Sequence, residues 1–355
     1  IRLSLVGSEM CIRDRTISDE RSAAFIAMGM AQQLGQPVVL VCTSGSAALN
    51  YFPAISEAYF QQIPLLILTA DRPAEWIDQW DGQTIFQEEV YGKHVKKTFR
   101  FPDSFAQKDQ EWHASRIVNE AINLSRQFPA GPVHINIPLR EPFYPEAGEK
   151  FEYPVQPREF TPVTSQSQLT EESLRHIKNR LMEVRRVVIV PGQQKPNAQI
   201  TSILDQLSKN QRAVVITDVI TNLQGEHTVN LHDHWLGNES LLTDLTPDLI
   251  ISFGKSVISK SLKQFLRKST ASHWHIQPDG QAKDTYQQLT RVLACSPVGF
   301  LNWLGENLPL QDEQFFSSRM KLEKSTQHAL PVAFASVEFG AVSYTHLRAH
   351  ETKAN

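Results

Sequence analysis

Two open, mostly parallel α/β sheets flanked by helices are the fold that this sequence predicts. Short apolar runs alternate with amphipathic helical patterns along the chain, which is the signature of parallel α/β layers. A proline-rich stretch interrupts the alternation once. The length, 355 residues, is enough for two cores at roughly 150 residues per domain. Hydrophobic residues make up 41% and charged residues 21%, a globular composition that excludes a disordered, collagen-like or low-complexity chain.

Asp19 is placed to cap a helix over 20–34, and the run 38–42 reads as a buried strand. Ser44 is expected to cap a second helix, and 65–69 is the next strand. Ala114, Ile117, Val118, Ala121 and Ile122 recur at the spacing of one buried helical face, and Pro129, Gly131 and Pro132 break that helix before a strand over 133–137. Pro138, Pro142, Pro145, Pro154, Pro157 and Pro162 remove too many backbone donors for a sheet or helix interior, so 141–165 reads as an extended linker. Beyond it, the runs 186–190, 213–217, 248–253 and 272–276 are four strands of a second open sheet. The expected organisation is a first domain over 16–140, the linker, a central domain over 166–310, and a connection toward further structure over 311–340. The strings 4–15 and 342–352 carry no helical or strand period and resemble translated sequencing adaptor. Residues 1–15 and 341–355 are therefore expected to be artefacts standing outside the fold.

Lys and Arg total 35 against 38 Asp and Glu, a net charge of −3, so no global positive field exists to hold a polyanion and nucleic acid is not an expected partner. The apolar runs fall far short of the ~18 residues a membrane span needs, so no membrane is expected either. Cys11, Cys42 and Cys295 are too far apart for a Cys-x-x-Cys pair, and the odd count argues for the reducing cytoplasm. His232 with His234 and His273 with His275 have no Cys or carboxylate partner at metal-ligand spacing and read as ordinary polar positions, so no metal ligand is expected in this sequence.

The junction from Cys42 to Ala47 sets small residues and free backbone amides after a parallel strand, where open α/β sheets bind ligands. Alone it is equally a capped helix whose Gly45 allows close packing. Glu20 alone is an acidic residue that suits a helix dipole, and Arg72 alone is a surface loop residue or an anion fork.

In order, DERSAAF over 19–25, GMA over 29–31, VCTSGSAALNYFPA over 41–54, LTADRP over 68–73, DGQTI over 81–85 and GPVHIN over 131–136 are more specific. Together they resemble the pyrimidine-binding domain of thiamine diphosphate enzymes. Within that superfamily the sequence is similar to the 2-succinyl-5-enolpyruvyl-6-hydroxy-3-cyclohexene-1-carboxylate synthases of menaquinone biosynthesis. WLGN over 235–238 and SFGKS over 252–256 fit the central domain of that family, so the resemblance covers about residues 16–335.

The resemblance implies a transferase that uses thiamine diphosphate and Mg²⁺, decarboxylates 2-oxoglutarate and joins the remainder to isochorismate. It implies that Glu20 is catalytic, holding the pyrimidine ring nitrogen, and that Thr43, Ser44 and Gly45 bind cofactor. Arg72, Gln83 and Lys260 match substrate-binding positions, and both substrates are dicarboxylates that need cationic or amide donors. The family's Mg²⁺ ligands lie in a third domain, in a Gly-Asp-Gly segment that this sequence does not contain, so the chain is expected to be an inactive fragment. Family members are homodimers or homotetramers, which implies an apolar exposed face on the first domain. Lys255-Ser256 stands where some members have Lys-Arg, and Phe86 stands where Arg is common. The other candidates are a thiamine diphosphate carboligase such as acetolactate synthase, which DGQTI argues against, and a non-catalytic Rossmann-like nucleotide-binding module, which would want Gly-x-Gly-x-x-Gly after a strand.

Overall fold

A computed structural model describes residues 14–140, 158–163, 167–238 and 245–335, and the chain divides into two compact units, 1–164 and 165–355. Most of the proline-rich stretch and of the two terminal strings lies outside the described residues.

In the first unit, α1 runs Glu20–Leu34, and its Asp19 cap accepts the Ser22 amide at 2.7 Å. Ala24, Ala27 and Ala31 form a small-residue face that lets α1 lie close on the sheet. Strand β1 (Val38–Cys42), α2 (Ser46–Asn50), α3 (Phe52–Gln61), β2 (Leu65–Asp71), β3 (Thr98–Arg100), α4 (Lys108–Arg126) and β4 (Pro132–Pro138) follow. The strands are all parallel, in the order β1-β2-β4-β3. The helices α1 and α3 pack against Leu40, Cys42, Leu65 and Ile67, and α4 packs Ile117 and Ala121 on the opposite face against Leu66, Val133 and Ile135. Burial on both faces is why these strands read as continuous apolar runs. One expectation is corrected here. The cap of α2 is Gly45, with φ +82°, and Ser44 makes no capping bond, because the chain turns sharply before the helix begins.

The second unit contains α5 (Glu171–Leu181), β5 (Val187–Pro191), α6 (Ala198–Lys209), β6 (Val214–Val215), β7 (Leu249–Phe253), α7 (Lys260–Lys268), β8 (Ser272–Ile276), β9 (Leu289–Leu293), α8 (Pro297–Asn307) and α9 (Glu313–Ala335). Its strands are also parallel, in the order β6-β5-β7-β8-β9. Helices α6 and α8 cover one face through Leu204, Leu207, Leu301 and Leu304, and α7 and α9 cover the other through Leu262, Leu266 and Phe315. Strands β3 and β9 were not among the expected strands. The first is three residues long, and the second carries an exposed Thr290 and Arg291, so neither has a continuous apolar run.

Strand order in the second sheet reverses between β5 and β7, the place where open α/β sheets offer a crevice for ligands. Here that crevice is filled by backbone. The Gly192 amide donates to the Phe253 carbonyl at 2.7 Å, and the Gln193 amide and carbonyl bond the Ser256 carbonyl and the Lys255 amide at 3.0 and 3.1 Å. A Cβ on Gly192 would overlap the Lys255 carbonyl. Gly192→Ala is therefore expected to destabilise the second unit by about 1–3 kcal/mol, as overpacking does. Urea unfolding of the whole chain reads this as a lower midpoint, and an unchanged midpoint would show that the crossover is not close-packed.

Candidate functional site

Register places Cys42, Thr69 and Asn136 side by side across β1, β2 and β4, where Cys42 ends β1 and the other two stand two residues before the ends of their strands at Asp71 and Pro138. All three are buried, on the face that α1 and α3 cover. Glu20 opens α1 near this row. Burial pushes the Cys42 thiol up to about 12, and the Glu20 charge adds to that push. Tyr51 is raised by burial and, more weakly, by Cys42 and Glu20, and its hydroxyl donates to the Val41 carbonyl at 2.8 Å. The Glu20 carboxylate is half-buried, and no hydrogen-bond or ion-pair partner reaches it among the described residues.

The turn after β1 holds Thr43 exposed and Ser44 and Gly45 buried. Gly45 has φ +82° and ψ −144°, a conformation open essentially to glycine alone, and a Cβ there would stand 3.0 Å from the Gln83 carbonyl. Close packing on Gly45 thus brings Gln83, exposed and itself at φ +58°, against the turn. Arg72, half-buried just past β2, has its Nε 3.7 Å from Asp81 Oδ2, and that Nε has no hydrogen-bond partner. Glu20, Thr43, Ser44, Gly45, Gln83 and Arg72 therefore gather at one edge of the first sheet. Lys260 is in the second unit, exposed on the first turn of α7 behind its Ser259 cap, where a cation opposes the helix dipole.

Sequence reasoning gave no role to the residues that tie this edge together. Gln87, 1% exposed, accepts the Gly45 amide on Oε1 at 3.1 Å and donates through Nε2 to the Ala70 carbonyl at 2.7 Å and to Asn136 Oδ1 at 2.8 Å. Asn136 Nδ2 donates to Asp71 Oδ2 at 2.7 Å, and Asp71 Oδ1 accepts the Arg72 amide at 2.8 Å. Thr69 Oγ1 donates to Asn136 Oδ1 at 3.0 Å and lies 2.7 Å from His134 Nε2. The tautomer follows: with the Thr69 proton committed to Asn136, His134 Nε2 carries a proton and donates, leaving the unpartnered Nδ1 bare. Tyr91 stacks edge-on against His134 with ring centroids 4.8 Å apart. The available signal was a polar residue at every second position of a buried strand, His134 and Asn136 in β4 and Thr69 and Asp71 in β2. Gln87 lies in a loop and gave no signal.

A half-buried carboxylate with no partner among the described residues suits an acceptor for a protonated ring nitrogen, and beside it the turn presents an exposed Thr43. The fit covers only the pyrimidine half of thiamine diphosphate. Among the described residues there is no group of three or more His, Cys, Asp or Glu side chains able to hold a metal ion. His273 Nε2 and His275 Nδ1 both bond Ser252 Oγ, at 2.6 and 2.8 Å.

Comparison with known sequences decides the family. Residues 157–353 match the middle domain of thiamine pyrophosphate enzymes, and residues 10–95 match their amino-terminal cofactor-binding domain. The chain belongs to the thiamine pyrophosphate enzymes. It is 42% identical over 293 residues to the 2-succinyl-5-enolpyruvyl-6-hydroxy-3-cyclohexene-1-carboxylate synthase of Cytophaga hutchinsonii, covering 81% of this chain and 51% of that protein. Its identity to the synthase of the same name from Porphyromonas gingivalis is 39%, over 80% of this chain and 49% of that protein. With the Bacteroides thetaiotaomicron synthase it is 34%, over 84% and 53%. The chain spans about half the length of the curated relatives it matches. Its two parallel α/β units are those expected of the amino-terminal and middle domains of this family.

The buried imidazole at this edge has a measurable signature. Burial lowers His134 from the ordinary 6.5 to about 4, so below pH 6.5 the unfolded chain takes up a proton that the folded chain refuses. The stability this neutral imidazole contributes is complete above pH 6.5 and is lost as pH falls toward 4. His134→Gln is expected to flatten the decline of the urea midpoint between pH 6.5 and 4.5. An unchanged slope would show that His134 ionises freely in the folded state.

Proposed function

We propose that this chain forms the pyrimidine-binding domain, over 16–140, and the central domain, over 166–310, of a synthase that decarboxylates 2-oxoglutarate and joins the four-carbon remainder to isochorismate in menaquinone biosynthesis. The observation that carries this reading is the Glu20 carboxylate, without a partner among the described residues, at the carboxyl edge of the first sheet, in a chain whose curated relatives bear that synthase's name. When bound, thiamine diphosphate supplies the carbanion chemistry that lets a 2-oxo acid lose carbon dioxide. Glu20 accepts a hydrogen bond from the protonated pyrimidine nitrogen and so favours the tautomer that can remove a proton. Thr43, Ser44 and Gly45 border the ring, the buried wall behind Cys42 excludes water from that side, and Arg72 and Gln83 orient a substrate carboxylate. Lys260 supplies a cation from the central domain. Mg²⁺ and the diphosphate are held by a further domain, on which activity depends.

Phe25, Ile26 and Met30 are exposed on α1 just beyond Glu20, which supports a homodimer or homotetramer in which another subunit covers this face. Cys42 and Cys295 are free thiols, in keeping with a cytoplasmic enzyme, and no described helix is long and apolar enough to cross a membrane. The backbone-filled crevice at Gly192 speaks against a nucleotide-binding module.

The test uses this chain joined to the portion of the Cytophaga hutchinsonii synthase with which it does not align. In that protein Glu20→Gln is expected to lower kcat at least about a hundredfold with the fold intact, in the range for a positioned acid or base. Arg72→Ala is expected mainly to raise KM for a dicarboxylate. Near-normal turnover of Glu20→Gln removes Glu20 from the mechanism, and an unchanged KM for both substrates makes Arg72 structural.

A further inference from the structure

We propose that Gln87, Asn136 and Asp71 are positioning residues, a directed hydrogen-bond relay that locks the Gly45 turn to Arg72. The proposal rests on the reading above only in taking those two ends as cofactor-side and substrate-side.

The relay is continuous and its polarity is fixed. Asp71 accepts and cannot donate once ionised, so the Asn136 atom facing it must be Nδ2 and the atom facing Gln87 and Thr69 must be Oδ1. That forces Gln87 to present Nε2 to Asn136 and to the Ala70 carbonyl, leaving Oε1 for the Gly45 amide. At the other end the second carboxylate oxygen of Asp71 takes the Arg72 amide. Four chain segments far apart in sequence are joined in this way: the turn after β1, the end of β2, the loop around Gln87 and the end of β4. Gln87, Asn136 and Asp71 are all buried, so a reversed or missing link leaves donor facing donor, or charge facing charge, with no water to relieve it. Flipping either amide breaks at least one bond, and the edge therefore has one arrangement.

Isosteric exchanges test polarity without changing volume. In Asn136→Asp a carboxylate faces the Asp71 carboxylate. In Asp71→Asn an amide nitrogen must meet either Asn136 Nδ2 or the Arg72 amide. Each breaks the relay at one link. The double exchange D71N/N136D reverses that link and restores every bond: Asn at 71 donates to Asp at 136, which still accepts from Gln87 and Thr69, and the side-chain oxygen at 71 still accepts the Arg72 amide.

Backbone hydrogen exchange on the whole chain is the readout. Each single variant is expected to speed exchange at both Gly45 and Arg72 by about tenfold or more, with Ile67 in mid-strand unchanged, and the double variant to return both to within about threefold of the parent. In the joined protein the thiamine diphosphate Kd is expected to follow the same order, weakened in each single and recovered in the double. A double variant as fast as the singles overturns the relay, as does a single variant felt only at its own neighbour. If a single variant does not fold, recovery of the folded state in the double still supports the relay, and its failure overturns it. A joined protein that binds no thiamine diphosphate overturns the proposed function instead, and the exchange rates still decide the relay.

Discussion

Asn136 sits where a parallel sheet has both faces covered and its backbone is about to leave the ladder. A polar side chain at such a place must find every partner within the protein, because an unsatisfied buried amide forfeits roughly 1–3 kcal/mol. Its carboxamide meets that demand by taking protons from Gln87 and Thr69 and giving one to Asp71. The positions of the Gly45 turn, the Gln87 loop and Arg72 follow from those bonds. Around these buried polar groups Glu20 and Arg72 are half-buried, and Thr43 and Gln83 are exposed.

The second unit shows the same parallel architecture with a different arrangement at its crossover. It has the same strand direction and the same double coverage, and it too buries polar groups in neighbouring strands, with Ser252 serving both His273 and His275. Burial lowers His273 to about 4 and lowers His275 as well, so this pair is neutral near pH 7. At the crossover, where a ligand would enter, Gly192 and Lys255 fill the crevice with backbone. In the first unit the corresponding edge has the Glu20 carboxylate at the start of α1, without a partner among the described residues, and a turn at Gly45 that favours glycine.

Much of this was legible in the sequence because the interior of a parallel sheet imposes a simple pattern. The helix at 20–34 and the strands at 38–42 and 272–276 have the expected limits, since a cap residue or a continuous apolar run marks each. Strands β3 and β9 were illegible because edge strands that are short or partly exposed lose the apolar signal. Ser44 looked like a cap because its residue type suits one, yet the left-handed turn at Gly45 moved the helix start one residue on. The gathering of Glu20, Gly45, Arg72 and Gln83 came from an ordered set of short motifs. Gln87 could not be found in this way, because its partners are fixed by strand register and loop closure, which no local spacing encodes.

The central claim is that the carboxyl edge of the first sheet, with Glu20 as its acceptor, receives the pyrimidine ring of thiamine diphosphate. A crystal structure of this chain joined to the remainder of a relative, grown with thiamine diphosphate and Mg²⁺, measures it directly. The account predicts a Glu20 carboxylate oxygen within about 2.6–3.2 Å of a pyrimidine ring nitrogen, beside the Gly45 turn. A ring bound elsewhere, or a Glu20 carboxylate turned away from it, would contradict the account.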